Sequence, residues 1–115
     1  MNEKMIDTLS KLGFTEYEAK VYIAIIQLNL SSAKEIIDLS EIPRGKIYAT
    51  LNQLVEKGYI AQKTGNPALY HAIDPVGVIA LLRKQLIEDL SAIVDLIKDA
   101  VGSDAYAEHG IIQET

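Results

Sequence analysis

With 115 residues, the chain is long enough for one domain with its own hydrophobic core and one appended element, but too short for two full domains. It is 49% hydrophobic, has no cysteine and contains no apolar run near the about 18 residues of a membrane span, which excludes disulfides, thiolate metal sites and membrane insertion. We therefore expect a cytoplasmic protein, although its net charge of −5 is opposite in sign to that of most nucleic-acid-binding domains.

Two helices are predicted in the first 30 residues. The first covers residues 2–12 and ends at Gly13, and its apolar stripe consists of Met5, Ile6, Leu9 and Leu12. Thr15 and Glu18 form a capping-box pattern, in which each side chain binds a free N–H group at the start of a helix. The second helix then runs to about Leu28. It is apolar on most sides, which is typical of a central helix with several neighbours.

A helix-turn-helix follows. Ser32 and Glu35 repeat the capping box and begin a two-turn helix, and residues 40–42 form a turn. A longer helix is predicted from Pro43 to Gly58, since proline suits a first helical turn and glycine a helix end. Its predicted inward face consists of Ile47, Tyr48, Leu51, Leu54 and Val55. A short helix, a tight turn and a longer helix with a polar outer face are the elements of a DNA-reading helix-turn-helix.

A β-hairpin is predicted next. Residues 59–64 and 68–73 are β-prone, and Gly65-Asn66-Pro67 joins them as a turn. We expect Ile60, Tyr70 and Ala72 to face the core, and Lys63, Asn66 and His71 to face outward. The predicted fold class is therefore mainly α with a small β-hairpin, a winged helix-turn-helix that occupies residues 1–74.

Residues 75–101 are predicted to form one long amphipathic helix that starts with an Asp74-Pro75 cap. Its apolar stripe consists of Ile79, Leu82, Leu86, Leu90, Ile93, Ile97 and Val101. A helix of this length is ~40 Å long, further than a small domain can cover, so we expect the stripe to form a homodimer interface. Residues 102–115 show no periodicity and are predicted to be a flexible tail.

The charge is unevenly distributed. Residues 43–73 carry four basic residues against one acidic residue, a net charge of +3, whereas residues 75–115 carry three against seven, a net charge of −4. Double-stranded DNA would be attracted to the first segment alone. The candidate DNA-binding residues all lie in that segment: Arg44, Gly45, Lys46, Ala49, Thr50, Asn52, Gln53, Lys63, Asn66 and His71.

For these candidates we compare a specific contact with DNA against the simpler interpretation that the residue is solvent-exposed surface. Arg44 and Lys46 lie at a helix N-terminus, where free N–H groups already favour a phosphate. Asn52 and Gln53 can pair with adenine edges, and Ala49 and Thr50 can contact a thymine methyl group. Lys63 and His71 are equally well interpreted as phosphate contacts or as solvated strand positions. Five tyrosines are expected in the core rather than as base-stacking platforms: Tyr17, Tyr22, Tyr48, Tyr59 and Tyr70.

The sequence does not predict an enzyme. Two histidines, no cysteine, no phosphate-binding glycine loop and no metal-spaced ligand set leave scattered carboxylates such as Glu16 and Glu18, which we interpret as helix surface. No cofactor, metal or membrane partner is expected, and no segment identifies an effector ligand. The alternative to DNA binding is a winged helix that contacts other proteins in a transcription or other assembly, an alternative that the acidic net charge favours.

The order of these elements and several motifs resemble the TrmB-like family of winged-helix transcriptional regulators, found mainly in archaea. The similar segments are residues 12–22 (LGFTEYEAKVY), 32–36 (SAKEI), 42–48 (IPRGKIY) and 54–60 (LVEKGYI), with Gly65-Asn66-Pro67, Tyr70 and Asp74-Pro75 at the wing and its exit. The resemblance covers about residues 5–76. It implies a sequence-specific DNA-binding regulator.

Two features depart from the family pattern. Larger members carry a C-terminal sugar-binding domain, whereas this sequence stops after the long helix, so the resemblance implies DNA binding but does not extend to sugar sensing. The wing tip is often basic in the family, but Asn66, Ala68 and Leu69 occupy those positions here. Weaker anchoring by the wing is therefore expected.

Overall fold

The computed structural model describes residues 2–102, and it divides the chain into two compact units with the boundary after Ala80, inside the C-terminal helix. The predicted tail lies almost entirely outside the described residues. Among the helices within residues 2–102, none has the length and apolar character needed to cross a membrane.

Two N-terminal helices are formed as predicted. Helix α1 spans Glu3–Lys11 and helix α2 spans Glu16–Leu28. The predicted capping box of α2 is confirmed, since the Glu18 N–H donates to the Thr15 hydroxyl (3.1 Å) and the Thr15 N–H donates to Glu18 Oε1 (2.8 Å). Helix α2 is central: five consecutive residues, 21–25, are fully buried.

The helix-turn-helix is confirmed, with one correction. Helix α3 spans Ala33–Ser40 and has the predicted capping box. The next helix was predicted to start at Pro43, but a 3₁₀ turn spans Arg44–Lys46 and helix α4 spans Ile47–Glu56. Pro43 has an extended ψ of 133°, and the Lys46 N–H donates to the Pro43 carbonyl (2.9 Å), which closes a tighter turn than an α-helix allows.

Helix α4 ends in the glycine cap that the sequence predicts. Gly58 has a φ of 79°, a left-handed conformation that glycine adopts without strain. Its N–H donates to the Val55 carbonyl (3.0 Å), and the Tyr59 N–H donates to the Leu54 carbonyl (3.0 Å). This pair of bonds is a Schellman motif, and it turns the chain directly into the wing.

The wing is a hairpin of strands β2 (Ile60–Lys63) and β3 (Leu69–Ala72), and the predicted orientation is confirmed because Tyr70 is buried and His71 exposed. A third strand, β1 (Ser31–Ser32), was not predicted. It pairs with the other edge of β3, Ser31 opposite Tyr70, so the antiparallel sheet has the order β1-β3-β2.

An aromatic cluster joins the N-terminal helices to the start of the wing. The ring centroid of Phe14 lies 5.3 Å from that of Tyr22 and 5.2 Å from that of Tyr59. Offset and tilted aromatic pairs at this spacing stabilise a core beyond their buried area. Tyr22 is fully buried, as expected for a core tyrosine.

The C-terminal helix α5 spans Pro75–Val101, as predicted. The Gly77 N–H donates to Asp74 Oδ1 (3.2 Å), so Asp74 caps the first turn. A Cβ atom at position 77 would collide with that carboxylate, so any larger residue there would require the Asp74 cap to move. The fold class is therefore confirmed as mainly helical with a small antiparallel sheet.

Candidate nucleic-acid interface

The turn before α4 presents two free cationic side chains. Arg44, Gly45 and Lys46 are all exposed, and no side chain caps this turn or the start of α4. Within residues 2–102, neither Arg44 nor Lys46 forms an ion pair. The turn thus combines two unneutralised positive charges with backbone N–H groups at a helix start, a combination that binds anions.

The outer face of α4 carries small and amide side chains. Ala49, Asn52 and Gln53 are exposed, as predicted. Thr50 was predicted to contact a base, but it is 4% exposed and its hydroxyl donates to the Lys46 carbonyl (2.8 Å). This internal bond satisfies the hydroxyl and allows it to be buried, so Thr50 is not on the outer face.

Tyr48 is the largest correction to the predicted inward face. It was assigned to the core, yet it is 64% exposed on the second residue of α4. It lies at the edge of a cleft between α3, α4 and the wing, with a volume of about 420 Å³. We call this the wing cleft. Its lining consists of Ser32, Ala33, Lys34, Tyr48, Gly65, Asn66, Pro67, Ala68 and Tyr70.

The wing cleft contains two polar side chains that were not among the predicted DNA-binding residues, Lys34 and Tyr48, together with Asn66, which was predicted. All three are exposed, and within the described residues none of their side chains forms a hydrogen bond or ion pair. Tyr70 lies beneath them, and burial, followed by the nearby Tyr48 phenol, raises the pKa of Tyr70. The hydrophobic periodicity of a single helix cannot reveal this cleft, because the cleft walls come from three separate segments of the chain.

Lys63 and His71 do not join this group. Lys63 pairs with Leu69 and Tyr70 with Gln62, so strand alternation places Lys63 and His71 on the sheet face opposite Tyr70. His71 instead borders a separate cavity of about 280 Å³, whose lining includes Asn29, Leu30 and Pro75. The structure therefore separates the predicted wing residues into Asn66, near α4, and a more distant pair.

Lys57 is not free to contribute charge to an interface. Its ammonium group lies 2.8 Å from Oε2 of Glu18, which is 1% exposed and was predicted to be helix surface. Burial alone would raise the pKa of Glu18, but the hydrogen bonds from Lys57 and from Thr15 together lower it below its usual value of about 4.5. This charged pair ties α2 to the end of α4 and removes one cation from the apparent surplus of the wing region.

The apolar stripe of α5 is largely exposed in its own compact unit. Leu86 is 36% exposed and Leu90 55% exposed, and Ile93 and Ile97 lie between these values. Leu82 is half-buried, and Ile79 belongs to the first unit, where it borders α1 and α2. Within residues 2–102 there is no group of three or more metal-ligating side chains.

The fold and the exposed helix α4 together define a winged helix-turn-helix protein. The sequence model for "Sugar-specific transcriptional regulator TrmB" matches residues 9–76, more than half of the chain. The chain therefore belongs to the TrmB family, which confirms the resemblance inferred from its motifs.

Similar proteins come from archaea and bacteria. The chain is 33% identical over 90 residues to the HTH-type sugar sensing transcriptional regulator TrmBL1 of Pyrococcus furiosus, covering 78% of this chain and 26% of that protein. It is 40% identical over 70 residues to the uncharacterized protein YrhO of Bacillus subtilis, covering 61% of this chain and 26% of YrhO. The chain thus spans about a quarter of the length of these relatives.

Two solved structures illustrate the fold. The archaeal chromatin protein TrmBL2 superposes with a TM-score of 0.66 at 20% identity, over 98% of this chain and 47% of that one. The Multiple Antibiotic Resistance Repressor MarR superposes with a TM-score of 0.56 at 18% identity, over 95% and 84% of the two chains. At these identities the likeness concerns the fold, a winged helix followed by a long helix.

Proposed function

We propose that this protein is a sequence-specific, double-stranded DNA-binding transcriptional regulator that binds as a homodimer with α4 in the major groove. The observation that carries the proposal is the outer side of α4 and its preceding turn. There, two cations that form no ion pair within residues 2–102 precede a helix face of exposed small and amide side chains. Such a surface suits a DNA groove, because cations bind phosphates and amide side chains bind base edges.

The proposed contacts divide by position. Arg44 and Lys46 precede the first turn of α4, so they meet the phosphates at the edge of the groove together with the backbone N–H of Gly45. Asn52 and Gln53 lie between one and two turns further along the exposed face, where their amides can bind adenine edges, and Ala49 leaves room for a thymine methyl group. Thr50 is excluded because it is buried.

The proposed homodimer rests on α5. Its described apolar stripe exposes several leucine and isoleucine side chains along one face, and such a continuous patch is typical of an interface rather than of a free surface. DNA-reading dimers of this kind place two recognition helices on two half-sites, which doubles the number of contacts without a larger domain.

The first prediction tests the proposal through Lys46→Ala. Removing this exposed cation should leave the free energy of unfolding within ~0.5 kcal/mol of wild type, because nothing in the core changes. Affinity for DNA that the wild type selects from a random-sequence pool should fall. If Lys46 contacts a phosphate, the slope of log affinity against log salt concentration should flatten by about one unit per subunit.

Lys11→Ala is the matched control, since Lys11 is an exposed lysine in the last turn of α1, outside the proposed interface. It should retain wild-type affinity and salt slope. A folded Lys46→Ala protein that binds DNA like wild type would remove α4 from the interface. If wild-type binding to a partner hardly responds to salt and requires no DNA, the protein-contact alternative is correct.

A further inference from the structure

We infer that the wing cleft is a binding site for the DNA backbone, in which Tyr48 and Lys34 hold one sugar-phosphate strand beside the groove that α4 enters. This inference rests on the proposed DNA-binding function and adds two residues to it. Lys34 lies on α3 and not on α4. Tyr48 lies on α4 but is uncharged, and the sequence predicted it to be in the core.

The first argument is steric. An α-helix with its side chains is about 10–12 Å in diameter, and the major groove of B-DNA is about 12 Å wide. A helix that enters the groove therefore fills it, and the phosphates at its edge must lie against the protein surface that flanks the helix. The wing cleft flanks α4 at Tyr48, close to the N-terminal turn that carries Arg44 and Lys46.

The second argument is chemical. Three exposed residues with hydrogen-bond donors line the cleft from three different elements: Lys34 from α3, Tyr48 from α4 and Asn66 from the wing turn. All are without partners within residues 2–102. A phosphate oxygen accepts hydrogen bonds from each of these groups, and the face of the Tyr48 ring can pack against the apolar side of a deoxyribose.

The third argument is electrostatic. Among the described residues 2–102, no carboxylate lines the cleft. The nearest acidic residue in sequence is Glu35, whose Oε1 accepts from the Ser32 N–H (3.0 Å) and the Ser32 hydroxyl (3.1 Å). The Glu35 carboxylate is thus held at the N-terminus of α3, where the free N–H groups of the helix partly neutralise its charge. Among the described residues that line the cleft, Lys34 is the one that carries a charge. The cleft is therefore positively charged, which favours the binding of an anion.

The test separates the two residues by their different dependence on salt. Tyr48→Phe removes a neutral donor, so affinity for the pool-selected DNA should fall about tenfold per subunit, the effect of one hydrogen bond to a charged group, with the salt slope unchanged. Lys34→Ala should lower affinity and also flatten the slope by about 0.9 for each phosphate that the variant no longer neutralises. Both side chains are exposed, so thermal unfolding should match wild type.

Tyr17→Phe and Lys11→Ala are matched controls that remove the same groups outside the cleft, and both should bind like wild type. Ethylation of individual phosphates should identify a phosphate whose modification blocks wild-type binding but no longer affects Tyr48→Phe. If Tyr48→Phe and Lys34→Ala retain full affinity while Lys46→Ala loses it, the inference is overturned and the proposed function stands. If the wild type selects no DNA, both are overturned.

Discussion

Glu18 and Glu35 perform the same local task in different surroundings. Each accepts a hydrogen bond from the N-cap residue of its helix, Thr15 N–H at 2.8 Å and Ser32 N–H at 3.0 Å. Glu35 is exposed, whereas Glu18 is buried and also binds Lys57. A capping residue of α2 has thereby become a link between α2 and α4.

The second prediction concerns this link. Glu18→Gln keeps a side chain that can accept from Thr15 but loses the charged pair, so it should destabilise the protein by about 1–2 kcal/mol. The loss of stability is small for a buried carboxylate because Lys57 is partly exposed and water screens its charge. Glu35→Gln is the matched control in the second capping box and should cost less. Urea unfolding at neutral pH measures both.

The same pair predicts a pH dependence. The pKa of Glu18 is lower in the folded protein than its usual value of about 4.5, so its contribution is complete above that pH and is lost as the pH falls through the folded value. The stability gap between wild type and Glu18→Gln should therefore be widest near neutral pH and close below about pH 4.5. A gap that stays constant down to acid pH would show that the charge does not stabilise the fold.

Which residues of α4 face inward was predicted only in part. At about 100° per residue, Ile47, Thr50, Leu51 and Leu54 share an arc of about 100°, and Tyr48 lies outside it. The sequence interpretation placed Tyr48 on the inward face because an apolar arc of about 120° includes it, and that arc left Thr50 out. Val55, at the same end of the predicted arc, is also 36% exposed, so the buried face is centred closer to Thr50, whose internal hydrogen bond makes burial possible.

At the scale of elements, strong local signals were sufficient. Both capping boxes, the Gly58 cap, the hairpin and the full length of α5 follow from patterns within a few residues. The sequence did not predict the 3₁₀ turn or β1. The turn depends on one local hydrogen bond, from the Lys46 N–H to the Pro43 carbonyl, and β1 depends on a distant strand. A two-residue strand has no periodicity, and it exists because β3 offers a free edge at Tyr70, a long-range fact.

The third prediction concerns α5 as an element. Leu86→Asp combined with Leu90→Asp places two charges on the exposed stripe, and an unpaired charge in a dimer seam is costly, so the proposed dimer should become a monomer. Light scattering at ~100 μM, where a specific interface of standard size is occupied, measures the mass. A wild type that is monomeric at this concentration would contradict the proposal.

The control for this pair is Ser91→Asp combined with Ala92→Asp. These positions are exposed and lie outside the stripe, so the protein gains the same two charges. It should remain dimeric. Loss of the dimer in both variants would mean that net acidity, and not the position of the charges, separates the subunits.

At the scale of the whole molecule, the unequal charge distribution bears on the proposed binding of an acidic protein to DNA. Residues 43–73 carry a net charge of +3 and residues 75–115 a net charge of −4. Because one cation of the first segment, Lys57, is already paired with Glu18, few positive charges remain for phosphates. We therefore expect a shallower salt dependence than that of strongly basic DNA-binding domains.

The fourth prediction concerns the DNA sequence that the proposed dimer selects. Two α4 helices related by twofold symmetry should enrich an inverted repeat whose half-site centres are about one helical turn, ~34 Å, or a multiple of it apart. Selection from fragmented genomic DNA with the purified protein measures this. Broad, weakly specific enrichment would instead indicate backbone-dominated binding, and the absence of enrichment would favour a protein partner.

The short strand β1 has a thermodynamic consequence for association. Because Ser31 and Ser32 pair with β3, the wing is hydrogen-bonded to the residues that immediately precede α3, and the walls of the wing cleft are joined by backbone bonds. The conformational entropy of positioning these walls is therefore lost when the protein folds and not when it meets a ligand. A recognition surface ordered in advance keeps more of its contact energy as affinity, so this two-residue strand should strengthen the proposed binding by holding the cleft in place.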